Sequence, residues 1–394
     1  MLHKKQFIFS PEQQLLIGCC KVHVGQKKNN FSAPDLLSEI NENHFIELVD
    51  RHGVAPLIFH HLSGVPELSG DLKTRLKERA LQIQIAGIVA TSMIIKLQKQ
   101  LDDNQLKGVF LKGIPLAAMY YGDIGLRHSN DIDLWVEKKG FTLISTFLKA
   151  LGFHSSFDLA KFNQKQIAYK YITDHHVSFS TDNPEYPPVI ELHWRLRGRF
   201  GFFTLDPENG HHQTIKHPIS GASISVLNHI DHFLFLCSHG CEHVWYRLKW
   251  LFDLPQMISR AEFDWDVVYK RAIELNCLEQ IQLTFLVLNR VLEQEIPSQF
   301  MVSPVKSTMK KQLFYIEHCI KCNEKNADTT YEKIQNLRYF LLLNKKGAFN
   351  RGIVLRYLSS ESDWQMLPLP EKLFFLYFPL RPFLLALKLF RHRL

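Results

Sequence analysis

Val109–Val136 reads VFLKGIPLAAMYYGDIGLRHSNDIDLWV. Val109–Leu111 is an apolar strand that runs into Lys112-Gly113. Pro115 then marks the first turn of a helix, and Gly122 and Gly125 punctuate a turn. A second strand follows, carrying Asp131-Ile132-Asp133 ahead of Leu134-Trp135-Val136. Residues two apart on a strand share a face, so Asp131 and Asp133 project together from a strand whose apolar end predicts burial. At about 5 Å and an effective dielectric of about 20, two carboxylates repel by roughly 3 kcal/mol. A divalent cation between them removes that cost, so the stretch points to a metal site for phosphate chemistry.

Working outward, Lys138–Leu151 predicts a helix ended by Gly152, and Ile167–Ser180 alternates like a strand around Asp174-His175-His176. The turn Asn183–Pro188 introduces another strand, Val189–Trp194. Strands and helices in this succession imply an α+β fold, a mixed sheet with flanking helices. The lead-in reads as helical throughout. Ser10-Pro11-Glu12 is an N-cap with Pro in the first turn, His52-Gly53 is a helix end, and Leu72–Leu101 is one long amphipathic helix. After Leu196 the chain looks loop-like through Gly198, Gly201, Pro207 and Gly210. Helical patterning returns from Val226, with apolar spacing over Ile230–Leu254. Four regions are expected: a helical lead-in over 1–104, an α/β core over 105–200, a helical domain closing the cleft over 201–325, and an apolar helical tail over 326–394. The tail segments Leu373–Leu380 and Phe383–Phe390 are divided by Pro379, Arg381 and Pro382. They read either as a surface for an anionic membrane or a protein partner, or as an element packing back onto this chain.

The 47 basic and 39 acidic residues leave a charge of +8, compatible with anionic substrates but too small for a large nucleic-acid footprint. Seven scattered cysteines make no disulfide framework, and the single pair Cys319/Cys322 lacks the second pair that structural zinc needs. The opening MLHKKQFIFS lacks the apolar core of a signal peptide, and no stretch reads as a spanning helix. The expectation is a cytoplasmic protein with reduced thiols.

Glu191 sits between Ile190 and Leu192 and shares its strand face with His193. With Asp131 and Asp133 it gives three hard oxygen ligands suited to Mg²⁺ or Mn²⁺. Lys112-Gly113, in a strand-to-helix turn, is a candidate phosphate contact. Arg127 either orients the acids, contacts nucleotide phosphate, or is an exposed loop arginine. His239, His243 and Arg247 fall four apart on one helix face, with His232 and Asp253 nearby. They either line the cleft or tie helix to sheet. No glutamate stands immediately after His239, so a zinc-protease site is not expected. Trp245 and Trp250 read as core, and His175-His176 and His211-His212 as surface pairs.

Leu111-Lys112-Gly113, Tyr120-Tyr121-Gly122, Arg127, Ser129 and Asp131-Ile132-Asp133-Leu134 resemble the core motif of polymerase-beta-type nucleotidyltransferases. More closely, they resemble a bacterial family of uncharacterised nucleotidyltransferases. Glu191–Trp194, His239–His243, Arg247–Trp250 and Asp253-Leu254 are similar to that family's later segments, as is His52–Leu57. The resemblance implies metal ligands at Asp131, Asp133 and Glu191, with Glu191 as third ligand or as base for the acceptor. It implies nucleotide contacts at Lys112, Gly113, Arg127, His239, His243 and Arg247. The implied reaction passes a nucleoside monophosphate from a nucleoside triphosphate, ATP among them, to a small molecule, protein or RNA, releasing pyrophosphate. Where better-known members carry Gly-Gly or Gly-Ser, this chain has Lys112-Gly113. Two alternatives stay open: an inactive binding protein of a surface-polysaccharide or peptide-modification pathway, and a toxin-like enzyme acting on tRNA or protein.

Overall fold

The computed structural model describes residues 7, 9–25, 31–129, 131–158, 161–196, 203, 205, 208, 212–217, 221–322, 330–343, 354–355 and 358–391. The expected loop positions Gly198, Gly201, Pro207 and Gly210, together with His211, lie outside the described residues. So do residues 323–329 and the last three residues.

The lead-in consists of α1 (Pro11–His23), α2 (Ala33–Glu39), α3 (Glu42–His52), α4 (Ala55–Leu62) and the long α5 (Gly70–Asp103). The local signals act as anticipated. Ser10 and Gln13 form a capping box at α1, Gly53 ends α3 at φ 66°, and Ser69 caps α5. By length and composition α5 also qualifies as a membrane span, contrary to the expectation that no stretch would. Within its most apolar 18 residues, 39% are buried against the protein. Leu81, Ile85 and Ile88 remain exposed.

Strand β1 (Gly108–Phe110) leads to α6 (Ile114–Tyr120), and β2 (Asp131–Val136) to α7 (Lys138–Ala150). A two-residue β3 (His154–Ser155), α8 (Gln164–Thr173), β4 (His176–Ser180) and β5 (Val189–His193) follow. Only the end of the expected 167–180 strand is therefore a strand. Asn163 and Gln166 make a capping box that starts a helix, and the strand begins only after Asp174 and His175. Two further strands, β6 (His212–Lys216) and β7 (Ser223–Leu227), occupy a stretch read as loop and helix. Both are only five residues long, and β6, the half-exposed edge strand, is polar and carries little periodic signal.

Among the described residues, seven strands form one mixed sheet in the order β3-β4-β5-β2-β1-β7-β6. β2 runs parallel to β5, and β1 parallel to β7; the other pairs are antiparallel. Strand alternation divides its side chains between two cores. Phe110, Ile132, Leu134, Phe179, Ile190 and Leu192 pack with the C-terminal half of α5 and with α7. Val109, Leu111, Trp135 and Leu227 face the other way, toward the helices. Those helices are α9 (His229–Glu242), α10 (Leu248–Arg260), α11 (Trp265–Glu274), α12 (Leu278–Leu292), α13 (Ser307–Lys321) and α14 (Thr330–Leu343). The run Ile230–Leu254 is thus two helices, broken where Val244 and Trp245 both take φ 53°. Of the tail, Trp364, Phe374, Tyr377 and Leu384 insert into the core beneath the sheet, so it does pack back onto this chain.

Candidate active site

Asp131 and Asp133 reach the same side of the sheet because β2 alternates, with Ile132 and Leu134 filling the core behind. The parallel register sets Asp133 opposite Glu191 and Trp135 opposite His193. Two segments 60 residues apart thereby meet: His193 Nε2 donates to Asp133 Oδ1 at 3.2 Å and lies 3.4 Å from Glu191 Oε2. The antiparallel partner β4 adds His176, whose Nε2 is 3.6 Å from Glu191 Oε1.

Gly113 occupies the turn ahead of α6 at φ 72°, where a Cβ would stand 2.5 Å from Ser129 Oγ. Only glycine fits both the backbone and that contact. The turn aims Lys112 across the sheet face: its Nζ is 2.9 Å from Asp133 Oδ1 and 3.2 Å from His239 Nε2. Lys112 therefore holds a carboxylate of the sheet and an imidazole of α9 together.

The electrostatics follow from burial and these partners. Burial alone raises a carboxyl, yet the His193 hydrogen bond and the charges of His176, His193 and Lys112 pull Glu191 down to about 2. Asp133 is lowered in the same way, against its burial, by Lys112 and His193. His193 and Lys112 are both raised, because the acids outweigh their desolvation. Asp133 Oδ2 is buried with no hydrogen-bond partner. A buried acceptor left unmatched costs about 1–3 kcal/mol, more when charged, and a cation would satisfy it. Donor atoms of Asp133, Glu191 and His193 all lie within 4.8 Å of one another. The Asp133 and Glu191 oxygens fit a hard divalent ion such as Mn²⁺ or Mg²⁺, and His193, whose Nε2 hydrogen-bonds to Asp133, orients them. Asp131 lines the same cavity but is not a member of that close group.

The cavity measures about 880 Å³, and its lining joins the sheet face to α9, the break after it and the start of α10. Lys112, Gly113, Arg127, Asp131, Glu191, His239, His243 and Arg247, all singled out from the sequence, line it together. Asp133 stands behind them, its side chain fully buried. The three helical candidates do not share one helix face. His243, which caps α9, still lies one turn on from His239 with the rings 4.5 Å apart, but Arg247 precedes α10, so the chain break and not helical spacing brings it to them. Arg127 is not exposed. Its Nε and Nη2 donate to Asp253 at 2.7 and 2.8 Å, and Tyr121 adds its hydroxyl at 2.7 Å. His232, also considered for the cleft, is a tie to the sheet, with Nε2 2.8 Å from the Leu111 carbonyl oxygen.

Several lining residues escaped the sequence. His175 and His176 are not surface groups; they border the cavity beside Glu191. Trp250 packs partly against the helical core, as expected, but also lines the cavity, edge-on to His239 and Tyr246 at 5.1 and 4.9 Å, while Trp245 is fully buried against Gly240. Lys249 also lines the cavity, with Nζ 3.3 Å from the His128 carbonyl oxygen. Burial, reinforced by Arg127, lowers its ammonium to about 7. Nothing in the sequence separates Lys249 from an ordinary helix-surface lysine.

No curated protein matches the chain. Among solved structures it is similar to the crystal structure of an antigenic nucleotidyltransferase-like protein from Paracoccidioides brasiliensis, at 14% identity and a TM-score of 0.33. That match covers 52% of this chain and 92% of the other. A family described as uncharacterised nucleotidyltransferase matches residues 38–293, a span holding the whole cavity lining except its Asn336–Phe340 edge. With more than half its length inside that match, the chain belongs to the uncharacterised nucleotidyltransferase family.

Proposed function

We propose that this protein is a divalent-metal-dependent nucleotidyltransferase that moves a nucleoside monophosphate from a nucleoside triphosphate to an acceptor nucleophile, releasing pyrophosphate. The observation that carries the reading is the parallel register of Asp133 and Glu191, with Asp131 on the same face and Asp133 Oδ2 buried and unpartnered behind the cavity lining. Asp131, Asp133 and Glu191 would hold the metal, with His193 adjoining. When bound, the ion offsets phosphate charge and lowers the pKa of the attacking hydroxyl.

The chain's own groups account for the rest. Lys112, held charged beside the acids, neutralises phosphate oxygens entering near Gly113. Arg247, His239 and His243 border the opposite side, and Trp250 offers an aromatic edge for a base. Glu191, which His193 and the neighbouring cations hold ionised, is suited to gripping the ion, and a carboxylate this acidic is a weak base for the acceptor's proton. Catalysis of this kind rests on positioning and charge neutralisation. The double variant Asp131→Asn, Asp133→Asn is expected to lose nucleotide transfer and metal-dependent nucleotide binding while keeping its circular-dichroism spectrum. Unchanged labelling of acceptors from radiolabelled ATP, GTP, CTP and UTP in cell extract would refute the assignment.

One observation favours a second reading, an inactive binding protein on the same fold: Lys112 and His193 already neutralise Asp133 from within. Calorimetry separates the two. Nucleotide binding that is indifferent to Mg²⁺ and Mn²⁺ supports the binding protein, whereas metal-dependent binding supports the enzyme.

A further inference from the structure

Away from the cleft, the C-terminal ends of α1 and α4 converge on three imidazoles. His23 is the last residue of α1, and His60 and His61 lie in the last turn of α4. His23 Nδ1 and His61 Nε2 are 3.2 Å apart, and the donor atoms of all three residues lie within 4.8 Å of one another. The rings of His60 and His61 meet edge-to-face at 5.1 Å. His23 also stacks on Tyr121 at 6.1 Å and 29°, which fixes its plane.

We propose that His23, His60 and His61 form a second metal site, separate from the nucleotidyltransferase cleft, that takes a borderline divalent d-block ion such as Zn²⁺ or Co²⁺. Three arguments support it. Zinc–nitrogen bonds of about 2.0–2.1 Å in a tetrahedron place neighbouring nitrogens about 3.3 Å apart, close to the His23–His61 separation. The donors are all nitrogen, which excludes Mg²⁺ and Ca²⁺ as preferred occupants. The site also stands where two helices present the negative ends of their dipoles, so a cation is favoured there by backbone as well as side chains. Three protein ligands leave a fourth position open to solvent beside His60, which is exposed. The site is independent of what the cleft does.

The test is a titration of the metal-stripped full-length chain with Co²⁺, followed in visible absorbance, with competition by Zn²⁺. The expected result is a four-coordinate cobalt band that Zn²⁺ abolishes. It persists in Asp133→Asn with Glu191→Gln and is lost in His23→Ala with His61→Ala. Each single change, His60→Ala included, weakens binding at least tenfold. His60→Ala sits on an exposed position and keeps the experiment decisive should the double variant fail to fold. Zn²⁺ is further expected to shield His60 from diethyl pyrocarbonate, read by peptide mass mapping. A cobalt band unchanged in both His60→Ala and the double variant, or no band in the parent chain, overturns the proposal.

Discussion

Lys249 shows how far a side chain's chemistry departs from its residue type. An exposed lysine stays charged to about pH 10.4. This one is almost wholly enclosed beside Arg127, and releases its proton near pH 7. Between those values the unfolded chain holds a proton that the folded one has lost, so stability rises with pH through that window. Denaturant unfolding at pH 6.5, 8 and 9.5 is expected to show that rise, and Lys249→Met to flatten it and to be the more stable protein at the lowest pH. A slope identical in the variant would contradict the assignment. Residue by residue, the sequence disclosed what strand alternation and turn chemistry control: Asp131 and Asp133 on one face, Glu191 with His193, and glycine at 113. It did not disclose Lys249, His175 or His176, whose surroundings come from segments distant along the chain.

Among the elements, the start of β2 and helix α10 are clamped through one buried pair. Arg127, just ahead of β2, donates two hydrogen bonds to Asp253 of α10, and Tyr121 at the end of α6 donates a third. Removing one member of a buried ion pair strands the other's charge, at a cost of about 3–5 kcal/mol. Asp253→Ala is therefore expected to lower unfolding free energy by that amount in urea titrations. Asp253→Asn, which keeps an acceptor for Tyr121 or Arg127, is expected to lose less. An Asp253→Ala variant as stable as the parent would mean the clamp is energetically idle. The periodic elements were legible for the same reason they are stable: caps at Ser10 and Ser69 and the left-handed Gly53 are local devices. β6 and β7 were not: β7 joins the sheet through β1, which is far upstream, and β6 is held only by β7.

At the scale of the molecule, the C-terminal segment is part of the core and not an appendage. Trp364 is 3% exposed, ringed by Phe157, Phe162, Tyr169 and Phe374, and its indole donates to Ser359 at 2.7 Å. Nearby, Asp363 is fully buried between Arg381 and Lys388. Trp364→Ala is expected to destabilise the protein by about 3–5 kcal/mol, measured as a shift in denaturation midpoint. A change below about 1 kcal/mol would show the segment to be loosely attached. Sequence patterning left two readings for this tail, since an apolar helix face looks the same whether protein or lipid covers it. Helix α5 also has a consequence for the molecule as a whole. Leu72 and Leu76, in its first turns, belong to the helical core, and Met93 to Leu101 belong to the core beneath the sheet. One rigid rod about 50 Å long is thus shared property of both cores. Neither can melt without releasing the other's end of it, so heating should give a single cooperative transition. A cut anywhere along α5 should then leave no half that folds by itself.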